Sequence, residues 1–349
     1  MSLNNKDISG DYPICEGRGL MSVQGAIRQS AFDDIDEQAA QLVGHDQCYQ
    51  QLSAGRFRGR FTTAELGGDA WLFIEETNQA LAQHCHVPPG MVSFMFLLGT
   101  AQWVRLEQDE FGPDALAVFP ALTDFFVRCP ADTTFCVITL EQDRLARTLD
   151  FFPDQPGPGA YCLQSRQIGP AVAALRSLVG AFLSMIATSQ SEVADALAQF
   201  HLKEALLSTL ALAVTSGTRT ARSLPPALFD EARAMIDANL GIVSVTELCT
   251  TFDVSRRTLE QVFHRQVGIG PARFIKILRL NQIRRALRSP DCERAIADVA
   301  AEWGIWHPSH FATDYAAMFG ELPSLARRGQ DGRTHGVTIP RIRSRGVEI

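Results

Sequence analysis

Apolar positions along the chain change period twice. Over residues 31–149 they fall in short β-branched or aromatic-rich segments, at 56–66, 70–75, 92–98, 103–108, 116–119, 125–129 and 134–140. Turn residues separate most of them, including Gly67-Gly68, Pro88-Pro89-Gly90 and Gly112-Pro113. That rhythm predicts a small antiparallel barrel or sandwich. Pro153, Pro156, Gly157, Pro158 and Gly159 then break the pattern. Beyond them the period becomes helical: Val172, Leu175, Val179, Phe182 and Ile186 make one stripe, and Val193, Leu197, Leu202, Leu206 and Leu210 a second. An antiparallel helix pair is expected, packed on the strands or used for dimerisation.

A polar stretch at 216–226 precedes a third pattern. Residues 246–252 read as a short helix with the small residue Cys249 in the middle, followed by Asp253 at a turn. Ser255 then stands where an N-cap opens a second helix, 256–266, which buries Leu259 and Phe263. Two helices crossing closely need a small side chain at the crossing, and the turn favours a residue that tolerates positive φ. The outward positions are Arg256, Arg257, Thr258, Glu260, Gln261, His264 and Arg265, a face shaped to enter a major groove.

The pattern returns at 296–319. Ala300 takes the small position and Gly304 the turn, and a helix from Pro308 buries Phe311, Tyr315 and Phe319. His307, Ser309, His310, Thr313 and Asp314 point outward, and the turn is one residue longer than in the first unit. Between the units, 271–288 predicts a long helix buried through Phe274, Ile277, Leu280, Ile283 and Leu287. Eighteen residues span roughly 27 Å. With side-chain offsets this approaches the ~34 Å between successive major-groove faces.

These residues carry a resemblance. SRRTLEQVFHRQVGIGPARF, the connecting ILRL and IADVAAEWGIWHPSHFATDYAAMFGELP are similar to the C-terminal domain of AraC/XylS transcription regulators. Cys249, Asp253 and Gly270 stand where that family usually has Ala, Gly and Ser. The resemblance implies a sequence-specific, DNA-binding regulator, more often an activator, that contacts promoter DNA and RNA polymerase. It implies a cupin-like N-terminal β-barrel for a small-molecule effector, and a homodimer. It also implies that the first reading helix supplies most specificity, through Arg256, Arg257, Gln261 and Arg265. Ser255, Thr258 and His264 are further candidates there, as are His307, Ser309, His310 and Thr313 in the second unit.

The expected class is therefore α+β and multidomain. An extension (1–30) precedes a β-rich regulatory domain (31–150), a linker with the helix pair (151–215), a second linker (216–226), an all-α DNA-binding domain (227–329) and a basic tail (330–349).

Charge sharpens this division. The net charge of −7 argues at face value against nucleic acid, but residues 1–224 carry −10 and residues 225–349 carry +3. Only the C-terminal part suits a phosphate backbone. The eight cysteines form no CxxC pair and read as small apolar residues of a reducing compartment. The polar N-terminus lacks a signal-peptide pattern, and the apolar run at 91–104 is too short to span a bilayer, so a cytoplasmic protein with no membrane contact is expected.

Other classes find little support. His84 and His86, two apart, are the one metal-like pair, but Val87-Pro88-Pro89-Gly90 follows where a metal-binding cupin supplies a carboxylate. No GxSxG, P-loop, HExxH or GxGxxG occurs, so neither catalysis nor a cofactor is expected. Phe94, Phe96, Trp103, Phe119 and Phe125 are candidates for lining an effector pocket or for plain core packing. The alternatives are a cupin-like metal-dependent enzyme, which would need His84 and His86 to hold a metal, and a helical scaffold that binds only protein partners, which would tolerate loss of Arg256 and Arg257.

Overall fold

The computed structural model describes residues 27–42, 45–99, 103–107, 109–149, 160–163, 168–188, 192–217, 228–289 and 292–328. The expected tail and most of the two linkers and the N-terminal extension lie outside them.

The N-terminal region holds two antiparallel sheets. The larger is built from β1 (Ile27–Phe32), β3 (Gly59–Glu65), β4 (Ala70–Thr77), β11 (Thr133–Glu141), β6 (Met91–Leu97), β9 (Leu116–Phe119) and β12 (Tyr161–Leu163), in that spatial order. The smaller has the order β2 (Asp46–Gln51), β5 (Leu81–His86), β10 (Asp124–Cys129), β7 (Val104–Leu106) and β8 (Asp109–Phe111). The strands form two separate sheets facing one core rather than one closed barrel. Tyr49, Leu81, Cys85, Phe125 and Val127 from the small sheet pack there against Met95, Leu97, Ala117, Phe119 and Phe135 from the large one.

The outer face of the large sheet packs on helices α3 (Ile168–Thr188) and α4 (Glu192–Ser216), with the short α2 (Gln142–Leu149) beside them. Val172, Leu175, Val179 and Phe182 form the buried stripe of α3, as expected. On α4 the stripe is Leu202, Leu206 and Leu210, supplemented by Leu207 and Ala213. Leu197 departs from the expectation and is 56% exposed. The side chains of Ile186 and Val193 lie outside the described residues. Among the described residues, α3 carries the one window long and apolar enough to cross a membrane, yet its apolar stripe is spent on this core.

Of the candidate pocket aromatics, Phe119 and Phe125 stack in the inter-sheet core with centroids 4.0 Å apart. Phe94 and Phe96 face the helices instead, and Trp103 is largely exposed. Strand alternation explains this, because Phe94 and Phe96 share one face and Met95 and Leu97 the other.

The inter-sheet core contains a polar cluster. The carboxylate of Glu75, fully buried on β4, accepts from Gln38 Nε2 at 2.9 Å, Tyr49 OH at 2.9 Å and Gln83 Nε2 at 3.3 Å. Gln38 lies on α1 (Ile35–Ala39), and its own Oε1 is buried with no hydrogen-bond partner.

The C-terminal region contains α5 (Leu228–Ala238), α6 (Val245–Thr251), α7 (Arg256–Val267), α8 (Pro271–Arg288), α9 (Ile296–Glu302), α10 (Pro308–Phe319) and α11 (Pro323–Arg328). It has its own core, which also takes in Leu52, Ala82 and Phe126 from the outer face of the small sheet. The molecule is therefore layered, with helix pair, large sheet, small sheet and helical domain in succession.

Burial raises the Glu75 carboxyl to about 7, although the hydrogen bonds from Gln38, Tyr49 and Gln83 pull it the other way. The folded protein thus holds a proton that the unfolded chain releases. Stability from this group is full below the ordinary carboxylate range and is lost as pH rises from about 4.5 through about 7. The loss amounts to roughly 3 kcal/mol. Glu75→Gln can keep the same partners without the charge, so it is expected to match the wild type at pH 4 and to exceed it in stability at pH 8. Urea unfolding at both pH values checks this; a variant with wild-type pH dependence would remove Glu75 as the source.

Candidate nucleic-acid interface

Both expected helix-turn-helix units are present, and their turns close in the same way. The backbone N–H of Val254 donates to Cys249 O at 3.1 Å, and that of Ile305 donates to Ala300 O at 3.0 Å. The small residues predicted at the crossings are thus also the acceptors that pin each turn. Asp253 has φ 49° and Gly304 φ 74°, so both turn residues occupy the left-handed region.

Helix α7 starts at Ser255, whose Oγ accepts from Thr258 N at 3.1 Å and contacts Thr258 Oγ1 at 2.8 Å. It ends at Gly268 with φ 73°. Leu259 and Phe263 point into the core. Arg256, Arg257, Gln261 and Arg265 are exposed and make no side-chain hydrogen bond or ion pair among the described residues. His264 lies 3.7 Å from Glu260 one turn earlier. Ser255 and Thr258 are committed in part to capping, which leaves the side chains of the three arginines and Gln261 uncommitted on the outward face of this helix.

Helix α10 opens with His307 at its N-cap, without a side-chain capping bond, and with Pro308 in its first turn. His307, His310 and Thr313 are exposed, while the side chain of Ser309 lies outside the described residues. Phe311, Tyr315 and Phe319 are buried in an edge-to-face row, with centroids 5.6 and 4.8 Å apart. Asp314, expected on the outward face, is paired with Lys276 of α8 at 2.6 Å.

The back of α8 is held by the N-terminal region. Asp34 caps α1, accepts from Arg284 at 2.7 Å and forms an ion pair with Arg288 at 3.0 Å, and Arg285 pairs with Asp36 at 2.8 Å. Asn281 exchanges two hydrogen bonds with the backbone of Gln51, at 3.1 and 3.0 Å. Gln51 Nε2 and Gly55 N both donate to Met318 O at the end of α10, at 2.9 and 3.0 Å. Sequence reasoning missed this set, because arginines on a helix carry no mark of a partner some 250 residues away. Burial pushes the Asp34 carboxyl up, but Arg284, Arg288 and two backbone N–H groups outweigh it and hold it below its usual value.

The histidine pair has separate roles. His86 Nδ1 lies 2.9 Å from Asp124, while His84 faces the helical domain, where burial and Arg233 lower its pKa. Among the described residues, no group of three metal-ligating side chains occurs.

Comparison with known proteins agrees with this geometry. A family model described as a helix-turn-helix domain matches residues 248–329. The XylDLEGF operon transcriptional activator of Pseudomonas putida is 33% identical over 98 residues, 28% of this chain and 30% of that protein. The transcriptional activator RhaS of Escherichia coli O139:H28 is 35% identical over 81 residues, 23% and 28% of the two chains. Residues 248–329 form an AraC/XylS-type helix-turn-helix domain. The chain spans under a third of the length of these relatives, so the likeness concerns the AraC/XylS-type domain alone. Among solved structures, the AraC-like transcriptional activator CuxR is 15% identical, with a TM-score of 0.35 over 65% of this chain and 80% of its own.

Within the AraC/XylS-type domain, Arg257→Ala is expected to weaken specific duplex binding by about 1–3 kcal/mol, the worth of a bidentate guanine contact. Titration of a folded variant measures it, and unchanged affinity would take Arg257 out of the reading set.

Proposed function

We propose that the protein is a sequence-specific, promoter-binding transcription regulator, acting in the cytoplasm as an activator under the control of a small-molecule effector. One observation carries this reading. Two helix-turn-helix units on one long helix keep their outward helices exposed, while the back of that helix is clasped by a separate β-rich domain. Arg256, Arg257, Gln261 and Arg265 serve as base and phosphate contacts of the first unit, with Ser255, Thr258 and His264 beside them. His307, Ser309, His310 and Thr313 serve the second.

The two-sheet domain acts as a cupin-like effector module. What supports this is the polar cluster around Glu75, which is linked to the DNA-binding domain through two residues that hydrogen-bond it, Gln38 and Tyr49. Gln38 touches Glu75 from the helix that Asp34 caps. Tyr49 touches Glu75 through its hydroxyl, while its backbone carbonyl accepts from Arg285. An effector that rearranges either residue strains the clasp on α8. A homodimer is proposed through the outer face of α4, where Leu197, Phe200 and Leu212 are exposed. RNA polymerase is the proposed partner in activation.

Selection of duplexes from a randomised DNA pool by the full chain, at near-physiological salt, tests the reading. The expected result is a motif of two short blocks about one helical turn apart. Absence of any enriched motif, with and without a metabolite extract as effector source, would overturn it.

A further inference from the structure

The two reading units differ in kind. Helix α7 presents Arg256, Arg257 and Arg265, whereas α10 contains no lysine or arginine, and its one acid, Asp314, is already paired with Lys276. The second unit therefore brings little electrostatic attraction of its own to a phosphate backbone.

It brings an aromatic ring instead. In the first unit the turn-closing residue Val254 is followed at once by the N-cap Ser255. In the second, one extra residue stands between the turn-closing Ile305 and the N-cap His307. That residue is Trp306, and it is 72% exposed. The other apolar rings of the domain pack together: Phe229, Phe263, Phe274, Phe311, Tyr315 and Phe319 belong to the core, and Phe252 and Trp303 lie partly buried against it. An indole left in water at the leading edge of a reading helix forgoes the burial that the other aromatic rings of the domain obtain. The leading residues of such a helix are those that meet base edges, and the apolar group there is the thymine methyl.

We propose that Trp306 is a specificity-determining residue of the second unit, which packs its indole against a thymine methyl in the major groove and so reads by apolar contact where the first unit reads by charge. The inference rests on the DNA-binding function proposed above.

The test compares full-length wild type, Trp306→Ala, Trp306→Phe and Arg257→Ala by duplex selection, then by titration of the enriched duplex across a salt series. Trp306→Ala is expected to lose a thymine preference at one position of one block and to bind about tenfold more weakly. Its slope of log affinity against log salt should stay at the wild-type value, because no phosphate contact is removed. Trp306→Phe should restore most of the affinity and the thymine preference. Arg257→Ala should act on the other block. If Trp306→Ala selects the wild-type motif with wild-type affinity, the inference is overturned. It is equally overturned if the whole second block vanishes together with a lowered thermal midpoint, which is the signature of a structural role. A wild type that enriches nothing would instead bring down the functional reading beneath it.

Discussion

A buried carboxylate between two guanidinium groups organises this molecule. Asp34 and Arg284 have side chains only 4% and 6% exposed, and Arg288 completes the cluster from the next turn of α8. Buried charges are expensive to desolvate, and apolar residues of the same shape often stabilise as well or better. What the ionic cluster adds is directional: it matches one side of α8 to the capped end of α1, with a heavy penalty if either partner is removed. The neighbouring pairs Arg285–Asp36 and Asn281–Gln51 extend the match along α8 over 281, 284, 285 and 288, one face of a helix.

That one-sided attachment lets the helical domain be held firmly while its outward helix faces stay uncovered, as the proposed DNA reading requires. The N-terminal region takes the back of the connecting helix and the far end of α10, while the exposed residues of α7 and the start of α10 stay clear. The grip also reaches the inter-sheet core. Helix α1 is only five residues long, yet its N-cap Asp34 belongs to the junction and its Gln38 to the Glu75 cluster. Rearrangement of one end of so short an element is felt at the other.

Much of this was legible in the sequence. The small residues Cys249 and Ala300, the turn residues Asp253 and Gly304, and the apolar positions of α7, α8 and α10 are local signals with a fixed helical period, and α8 and α10 fall on the expected residues. Strands β2 and β5 were missed because their inward positions include Gln47, Gln51 and Gln83, so the alternation of apolar and polar residues that marks a strand is absent. Gln83 donates there to a buried carboxylate and Gln47 accepts from Tyr49, while Gln51 donates across the junction to Met318 O, tertiary facts with no local trace. Leu197 was placed in a buried stripe because composition cannot tell a face that meets the sheet from one left outside. The junction was invisible for the same reason, since Asp34 reads as an ordinary cap until α8 is laid against it.

The most direct test of this organising role is amide hydrogen exchange at Gln51 and Gly55, whose N–H groups donate across the junction to Asn281 and Met318. In Asp34→Asn, Arg284 keeps only Glu321 at 3.4 Å and Arg288 only Glu37 at 3.7 Å, and losing the charge of a buried pair costs about 3–5 kcal/mol. Exchange at these two amides should then accelerate by roughly a hundredfold or more, while the large sheet keeps its protection. Wild-type exchange rates at Gln51 and Gly55 in the variant would contradict the account.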